Sequence, residues 1–442
     1  MDKPLKIGIA GLGTVGAELA RIINSKSNML AERCGRALTL TGVCVRDRTK
    51  DRGINPNSVE WFDDAVALAT SDIDVYVELM GGDAGPALES VRAALKAGIH
   101  VVTANKALLA KHGVELAELA ENSGVLLNYE AAVAGGIPII KVMRESLTGN
   151  DVTRVYGIMN GTCNYILTRM EDDGLSFEEC LADAQRLGYA EADPAFDIEG
   201  DDTAHKLAIL TSLSFGTRIA ADEIYVEGIT KITTEDIRAA KDLGYRIKLL
   251  GVACRTDSGI ESRVHPTMVP LASPIAQISG VTNAVAIEAD VVGSLMMSGP
   301  GAGGGATASA ALGDIADIAK SRPGYQHGPA LGRPAERLEP YVRAKMRQHE
   351  GGYFIRMSVF DRSGAMAAIA TRMSEQDISL ESIVQRRDTP RSEVKNTDLD
   401  AQTLILITHE THESAIRAAL EAISKDGYLA AEPQMIRIEE MG

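Results

Sequence analysis

The run LKIGIAGLGTVGAELARII at residues 5–23 constrains the fold more than any other stretch of the chain. A short apolar segment, residues 5–10, ends in Gly11, Gly13 and Gly16, after which Val15, Leu19, Ile22 and Ile23 fall at helical spacing. Between a strand and a helix, G-x-G-x-x-G has a mechanical meaning. The first glycine permits a tight turn, the second lets a dinucleotide pyrophosphate approach the backbone, and the third lets helix and strand pack closely. The helix N-terminus then faces the anion. A glycine-rich turn without a ligand is the competing reading, and the flanking strand and helix disfavour it.

Further strands are predicted at 38–45 (LTLTGVCV), about 73–79 (IDVYVEL) and 99–103 (IHVVT), with the helix-like SVRAALKAG between the last two. Strands alternating with helices imply a parallel sheet covered on both faces. Residues 1–130 therefore read as an α/β, doubly wound Rossmann-type nucleotide-binding domain. From 131 to 300 the helical stretches FEECLADAQRLG and HKLAILTSLSFG are interspersed with strand-like stretches near 262–270 and 284–291, which predicts a mixed α+β domain. GPGAGGGATASAALGDIADIAKS returns to a helical pattern, so 301–340 is expected to pack back on the nucleotide domain. A Pro- and charge-rich connector at 323–350 precedes the last part, 350–442. There YFIRMSVFD, ISLESIVQRR, QTLILITHE and EPQMIRIEE read as strands, and SGAMAAIATRMSEQ and ESAIRAALEAISKDG as helices. The order βαββαβ is that of ferredoxin-like folds.

At 442 residues the chain exceeds what one core accommodates. The 61 Asp and Glu outweigh 45 Lys and Arg, and no basic stripe offsets the net charge of −16, which argues against nucleic acid. The five cysteines contain no C-x-x-C pair, which argues against a zinc site or a disulfide framework. No apolar run reaches the ~20 residues of a membrane span, and the chain enters a structural strand almost at once. A cytoplasmic protein is expected. His409 and His412 in THETHE read as a solvated turn.

Three places carry candidate chemistry. The second strand is followed by Arg46, Asp47, Arg48 and Lys50, basic groups that suit the 2′-phosphate of NADP, while Asp47 leaves NAD open. Lys106, in VVTANKALLAKHG, stands just past the fourth strand, at the edge of an open sheet where ligands bind. Glu191, Asp193, Asp197, Glu199, Asp201 and Asp202 crowd before Lys206, ahead of an apolar helix expected from Leu207. Taken alone, that cluster is an acidic loop with a surface pair between Asp202 and Lys206, worth a few tenths of a kcal/mol.

The run from Ala184 to Lys206 resembles the homoserine dehydrogenase pattern A-x3-G-aromatic-A-x2-D-P-x2-D-I-x-G-x-D-x3-K at every fixed position. GTVG, TANK, NGTCNYILT (160–168) and GPGAG are similar to other segments of that family, in order, so the likeness covers about residues 5–320. The tail, with its opening strand and Asp361-Arg-Ser-Gly364, is similar to an ACT domain. The resemblance implies NAD(P)H-dependent reduction of L-aspartate 4-semialdehyde to L-homoserine, a step toward threonine, methionine and isoleucine. Such a reaction needs a hydride at carbon and a proton or strong hydrogen bond at oxygen. It implies Lys206 as the acid on the carbonyl oxygen and Lys106 as a second cation near substrate and nicotinamide, with the choice between them for proton transfer left open. Glu191 and Asp202 would hold the substrate ammonium, Asp197 would support them, and Thr162 and Gly161 would shape the other wall. Cofactor contacts would come from Gly11, Gly13, Thr14, Val15, Gly16, Arg46, Thr103, Lys106, Gly188 and Gly303. A sodium ion would sit on the carbonyls of Glu130, Val133, Gly135 and Ile137.

The same resemblance implies a homodimer built through the middle domain or a homotetramer completed by the tails, threonine as effector at the C-terminal domain, and, with no kinase portion ahead of the nucleotide domain, a monofunctional chain. Two rivals follow from the residues. An aldehyde-oxidising enzyme would need Cys163 as its nucleophile, and a sensor would bind nucleotide without turnover.

Overall fold

The computed structural model describes residues 3–53, 57–321, 328–344, 350–386 and 401–439. Strand β1 (Leu5–Ala10) is buried on both faces, as the centre of a parallel sheet must be. Leu5, Ile7 and Ile9 pack with α1 (Thr14–Ser25) and α2 (Ser27–Cys34) through Leu19, Ile23 and Leu30. Around β1 stand β2 (Leu38–Cys44), β3 (Glu60–Phe62), β4 (Val75–Glu78), β5 (His100–Thr103) and β6 (Leu127–Asn128), all parallel, in the order β3-β2-β1-β4-β5-β6. Helices α3 (Ala65–Ala69), α4 (Pro86–Lys96) and α5 (Lys106–Ser123) connect them, with Leu68, Val91, Leu95 and Leu116 sharing a core with Ala10, Tyr76 and Val101 on the opposite face. The expected doubly wound fold is present. The edge strands β3 and β6 were not predicted, being three and two residues long, too short to show a period. Strand order reverses between β1 and β4, the place where open parallel sheets form a ligand crevice at the carboxyl ends of their strands.

The middle of the chain builds a mixed layer from α6 (Ile139–Lys141), β7 (Val152–Ile158), α7 (Gly161–Asp173), α8 (Phe177–Arg186), α9 (Ala195–Ile198), α10 (Asp201–Phe215), β8 (Tyr225–Val226), α11 (Thr234–Asp242), β9 (Tyr245–Thr256), β10 (Gly259–Pro270), β11 (Thr282–Ala289) and β12 (Gly293–Pro300). Val155, Leu249 and Ala253 of the sheet join Ile166 and Leu207 of α7 and α10 in one core, while Tyr156, Leu250 and Ala286 form a smaller one with Ile275. The two predicted strands are β10 and β11. β7, β9 and β12 went unread, because Arg154, Lys248 and the glycines of β12 break the apolar pattern.

Helix α12 (Gly304–Lys320) returns to the nucleotide domain, packing Ala308, Ala311, Ile315 and Ile318 with Leu19, Ile22 and Ile23. Residues 328–344 run as a strap. The Tyr129 hydroxyl donates to the Ala330 carbonyl, the Ala335 N–H to Glu121 of α5, and the Glu339 N–H to the Gly216 carbonyl. The rest of the predicted connector, 322–327 and 345–349, lies outside the described residues.

The tail consists of β13 (Glu350–Phe360), α13 (Ala365–Ser374), β14 (Leu380–Arg386), β15 (Ala401–Thr408), β16 (Thr411–His412), α14 (Glu413–Lys425) and β17 (Gln434–Ile438). Its sheet order β17-β13-β15-β14, with α13 and α14 closing over Tyr353, Ile355, Leu404 and Leu406, is the expected ferredoxin-like unit. Arg387, at the end of the second predicted strand of the tail, lies outside the described residues.

A parallel pairing of β17 with β10, Thr267 against Arg437 and Met268 against Ile438, was not predicted; it fuses the middle and tail sheets into one of eleven strands among the described residues. Both are edges whose unpaired amides and carbonyls seek partners. Alternation along β13, β15 and β17 then turns Phe354, Ile405, Ile407 and Ile436 into the main core. Ion pairs seal the seam, with Arg154 meeting Glu439 at 2.7 Å and Arg356 meeting the fully buried Asp236 at 2.6 Å. Among the described residues, no helix is long and apolar enough to cross a membrane.

Candidate active site

At Gly11, φ is +94°, and a Cβ would stand 2.5 Å from the Leu79 carbonyl oxygen, so both the turn and the space require glycine. A Cβ on Gly16 would lie 2.0 Å from the Gly11 oxygen, which is how α1 seats against β1. Gly13 has nothing within 4 Å of its Cβ position, an open approach for a pyrophosphate to the uncapped amides of Thr14 and Val15. Gly303 caps α12, and at the next residue a Cβ on Gly304 would meet the Thr14 carbonyl oxygen at 3.1 Å. Two helix N-termini thus converge on one place suited to an anion.

The loop after β2 is ordered from within. Asp47 accepts from the Thr49 amide at 2.8 Å and the Thr49 hydroxyl at 2.6 Å, bonds that hold its carboxyl below the usual range. Arg48 pairs with Asp63 at 2.7 Å. Arg52 donates to the Leu12 carbonyl at 2.9 Å and to Asp47 and Lys50 carbonyls at 2.7 and 2.8 Å, tying this loop to the glycine turn. Arg46 and Lys50 are exposed, and among the described residues neither meets a carboxylate.

The centre of the crevice is one carboxylate between two ammonium groups. Lys106 Nζ lies 3.0 Å from Asp202 Oδ1, and Lys206 Nζ lies 2.7 Å from Asp202 Oδ2 and 2.6 Å from the Met159 carbonyl oxygen. Helix α10 begins at Asp201, not at Leu207 as expected, because Gly200 takes φ +99° and lets the chain turn under Val226 and Val264 into the helix. Asp202 and Lys206 are then one turn apart on it. Lys106 opens α5, capped by Asn105, whose side chain accepts from the Leu108 amide at 3.0 Å and donates to the Gly82 carbonyl at 2.6 Å. The pair read as a surface contact is buried, since Asp202 is 4% exposed. Burial pushes the Asp202 carboxyl upward, but Lys206 and Lys106 outweigh it and hold it well below the usual carboxylate range.

Asp197 stands beside this group, its carboxyl pushed up by burial and then by repulsion from Asp202. Thr162 donates its hydroxyl to the Tyr189 carbonyl at 2.7 Å and lies 3.5 Å from Asp197 Oδ2. Gly161 begins α7 against the Val281 carbonyl, where a Cβ would come within 2.8 Å. The Lys106 ammonium lies 5.6 Å from the Phe196 ring centre. Such an arrangement can offer protons to a carbonyl oxygen and negative charge to an ammonium group.

Other candidate residues stand apart from this centre. Glu191 is exposed, and among the described residues only its carbonyl is engaged, by Gln185 Nε2 at 3.1 Å. Gly188 is an exposed left-handed residue just past α8. Thr103 is fully buried and donates its hydroxyl to Glu78 at 2.7 Å, so only its backbone is left for a cofactor. In the loop read as a cation site, Ala134 and Gly135 both take φ +55°, while the Glu130 and Ile137 carbonyls already accept from the Val133 and Ile139 amides. Each keeps a lone pair, so main-chain oxygens there suit a hard cation. Among the described residues no group of three His, Cys, Asp or Glu could hold a metal. Cys163 is fully buried, with Sγ donating to the Asp197 carbonyl at 3.2 Å and its thiol pushed well up by burial, the opposite of what a nucleophile needs.

Three residues without a predicted role belong to the site: Asn160, Glu78 and Arg52. Glu78, fully buried, accepts from the Met80 and Gly81 amides at 2.7 and 3.2 Å as well as from Thr103, joining the loops after β4 and β5. An acid ending the apolar run IDVYVEL at the ligand edge of the sheet was the available clue.

Three family models match successive parts of the chain: homoserine dehydrogenase, NAD binding domain, at 11–130; homoserine dehydrogenase at 138–316; and ACT domain at 353–427. The homoserine dehydrogenase of Pseudomonas aeruginosa is 42% identical over 443 residues, covering 99% of this chain and 100% of that one. A crystal structure of a homoserine dehydrogenase from Thiobacillus denitrificans matches with a TM-score of 0.92 at 39% identity, covering 100% of this chain and 99% of that one. A hyperthermophilic archaeal homoserine dehydrogenase in complex with NADPH matches with a TM-score of 0.60 at 28% identity, over 71% of this chain and 97% of that one.

Proposed function

The chain belongs to the homoserine dehydrogenase family of NAD(P)-dependent oxidoreductases, and on that premise we propose that it reduces L-aspartate 4-semialdehyde to L-homoserine with NADPH. The observation that carries this reading is the Asp202 carboxylate with an ammonium on each oxygen. When bound, the nicotinamide supplies the hydride. Lys206 gives its proton to the developing alkoxide, and Lys106 orients the carbonyl and stabilises the charge. Lys206 is the better held of the two, with its side chain 12% exposed against 32% for Lys106. Asp202 and Asp197 attract the substrate ammonium, and Glu191 closes over it from the loop after α8.

Preference for NADPH rests on Arg46 and Lys50, exposed cations at the end of β2, and on Asp47, whose carboxylate is occupied by Thr49 instead of free for a ribose hydroxyl. The archaeal relative bound to NADPH supports it. A sodium ion on the carbonyls of Glu130, Val133, Gly135 and Ile137 would brace the loop joining the two domains. The ACT domain would take threonine as a feedback effector in threonine, methionine and isoleucine synthesis. A homodimer through the middle domain, or a tetramer completed by the tails, would be the working form, and free cysteines suit a cytoplasmic location.

The test is NADPH oxidation with aspartate semialdehyde by wild type and Lys206→Ala, repeated with NADH and with added threonine. Turnover lost in the variant supports the reaction and the acid together. No turnover by the wild type with either cofactor would refute the proposal.

A further inference from the structure

We propose that Asn160 is a positioning residue that holds the Asp197 and Asp202 carboxylates together as an ionised pair, ready for the substrate ammonium; the last clause rests on the function proposed above. Asn160 is buried and caps α7, accepting from the Cys163 amide through Oδ1 at 2.9 Å. That bond orients the amide, because with its oxygen on the helix both amide hydrogens must point away from it. Nδ2 lies 2.8 Å from Asp197 Oδ1 and 2.8 Å from Asp202 Oδ2, one hydrogen for each acid.

Capping alone does not explain this residue. Serine, threonine or aspartate would cap α7 as well, yet only an amide gives one acceptor to the helix and two donors to the carboxylates. The two acids also differ in what else supports them. Asp202 has an ammonium on each oxygen. Asp197 forms no ion pair among the described residues, and the Thr162 hydroxyl 3.5 Å away gives its single hydrogen to the Tyr189 carbonyl at 2.7 Å. The charged and titratable groups acting on Asp197 are Asp202 and Lys206 of α10, Lys106 of α5 and, across α7, Cys163. Burial and Asp202 both drive Asp197 toward its neutral form, and the Asn160 hydrogen bond is the first of the opposing influences. Without it the balance at Asp197 shifts further toward the neutral form, weakening one of the two negative charges.

The experiment compares full-length wild type, Asn160→Ser and Asn160→Asp. Serine keeps the cap and removes the bridge. For Asn160→Ser the expected result is a KM for aspartate semialdehyde raised about tenfold or more, the cost of one hydrogen bond to a charged group, with the KM for NADPH unchanged. Aspartate keeps shape and cap but adds a third carboxylate, so Asn160→Asp should be nearly inactive at pH 8 and recover as pH falls and a proton again bridges two of the acids. A wild-type KM in both variants, or equal loss at every pH, would overturn the inference. A readout independent of substrate is the 13C carboxyl titration of Asp197, assigned through Asp197→Asn, which should move upward in Asn160→Ser. An unmoved titration refutes the bridge even in an active enzyme, whereas a titration that moves in Asn160→Ser while the wild type fails to reduce the aldehyde refutes only the proposed function.

Discussion

Asp202 on α10 and Asp314 on α12 are both buried helical carboxylates, 4% and 1% exposed, yet their surroundings push their acidities in opposite directions. Each Asp202 oxygen has its own ammonium, at 3.0 and 2.7 Å. Asp314 accepts from the Glu130 amide at 2.8 Å, faces Lys141 at 4.0 Å, and shares that lysine with Asp317. Burial, reinforced by the Glu130 carboxylate, pushes Asp314 up to about 7. Burial therefore does not decide ionisation; the number of cations per carboxylate does. The cation-rich carboxylate faces the crevice and, in the function proposed above, would exchange a partner for the substrate ammonium. The cation-poor pair lies where β6 meets α12, and serves as a joint.

The contrast is tested most severely by Lys206→Ala, expected to lower kcat by roughly 10²–10⁴ through loss of the acid. Stopped-flow or steady-state NADPH oxidation reads it, and a loss below tenfold would leave Lys106 as the proton donor. Next is Asp202→Asn, expected to lower kcat/KM by roughly 10²-fold as both ammonium groups lose their anchor and the substrate loses a counter-charge. Little change would mean that the lysines are positioned by other groups.

Asp314→Asn sharpens the other side of the comparison. A carboxyl at about 7 when folded and 3.8 when unfolded binds more protons folded, so its contribution to stability falls as pH rises through that window and is flat above it. Asparagine keeps an acceptor for Glu130 and cannot ionise. The variant should melt roughly 2–5 °C above wild type at pH 8 and show no advantage at pH 4, as differential scanning calorimetry would report. Asp202, with its carboxyl depressed, has the opposite sign: its contribution holds above the ordinary carboxylate range and is lost as pH falls. The smallest effect is expected for Cys163→Ala, which removes one hydrogen bond to the Asp197 carbonyl and should retain turnover within about fivefold. Abolished turnover there would revive the nucleophile reading.

Much of this site was legible in the chain. G-x-G-x-x-G between strand and helix announced the cofactor crevice through spacing within one element, whereas the run ending in Asp202 and Lys206 read by itself as an acidic surface loop and pointed to a site only through its resemblance to the homoserine dehydrogenase pattern. Asn160 and Arg52 were not legible, and Glu78 left only the clue of an acid near the end of an apolar strand. Each acts through partners distant in sequence: Asn160 through Asp197 and Asp202, Glu78 through Thr103, Arg52 through Leu12. Spacing along a helix or strand carries no record of such contacts.

The chain by itself determined its local elements, the nucleotide domain, the ferredoxin-like tail and the lysines and carboxylates of the crevice, since periodicity, glycine placement and short motifs are local properties. Only the tertiary structure decided that β17 would extend the sheet at β10, that Lys106 and Lys206 would share one carboxylate, and that Asp202 and Asp314 would diverge in acidity. Those outcomes depend on which surfaces exclude water and which charges then lie within a few ångströms, and folding settles both at once.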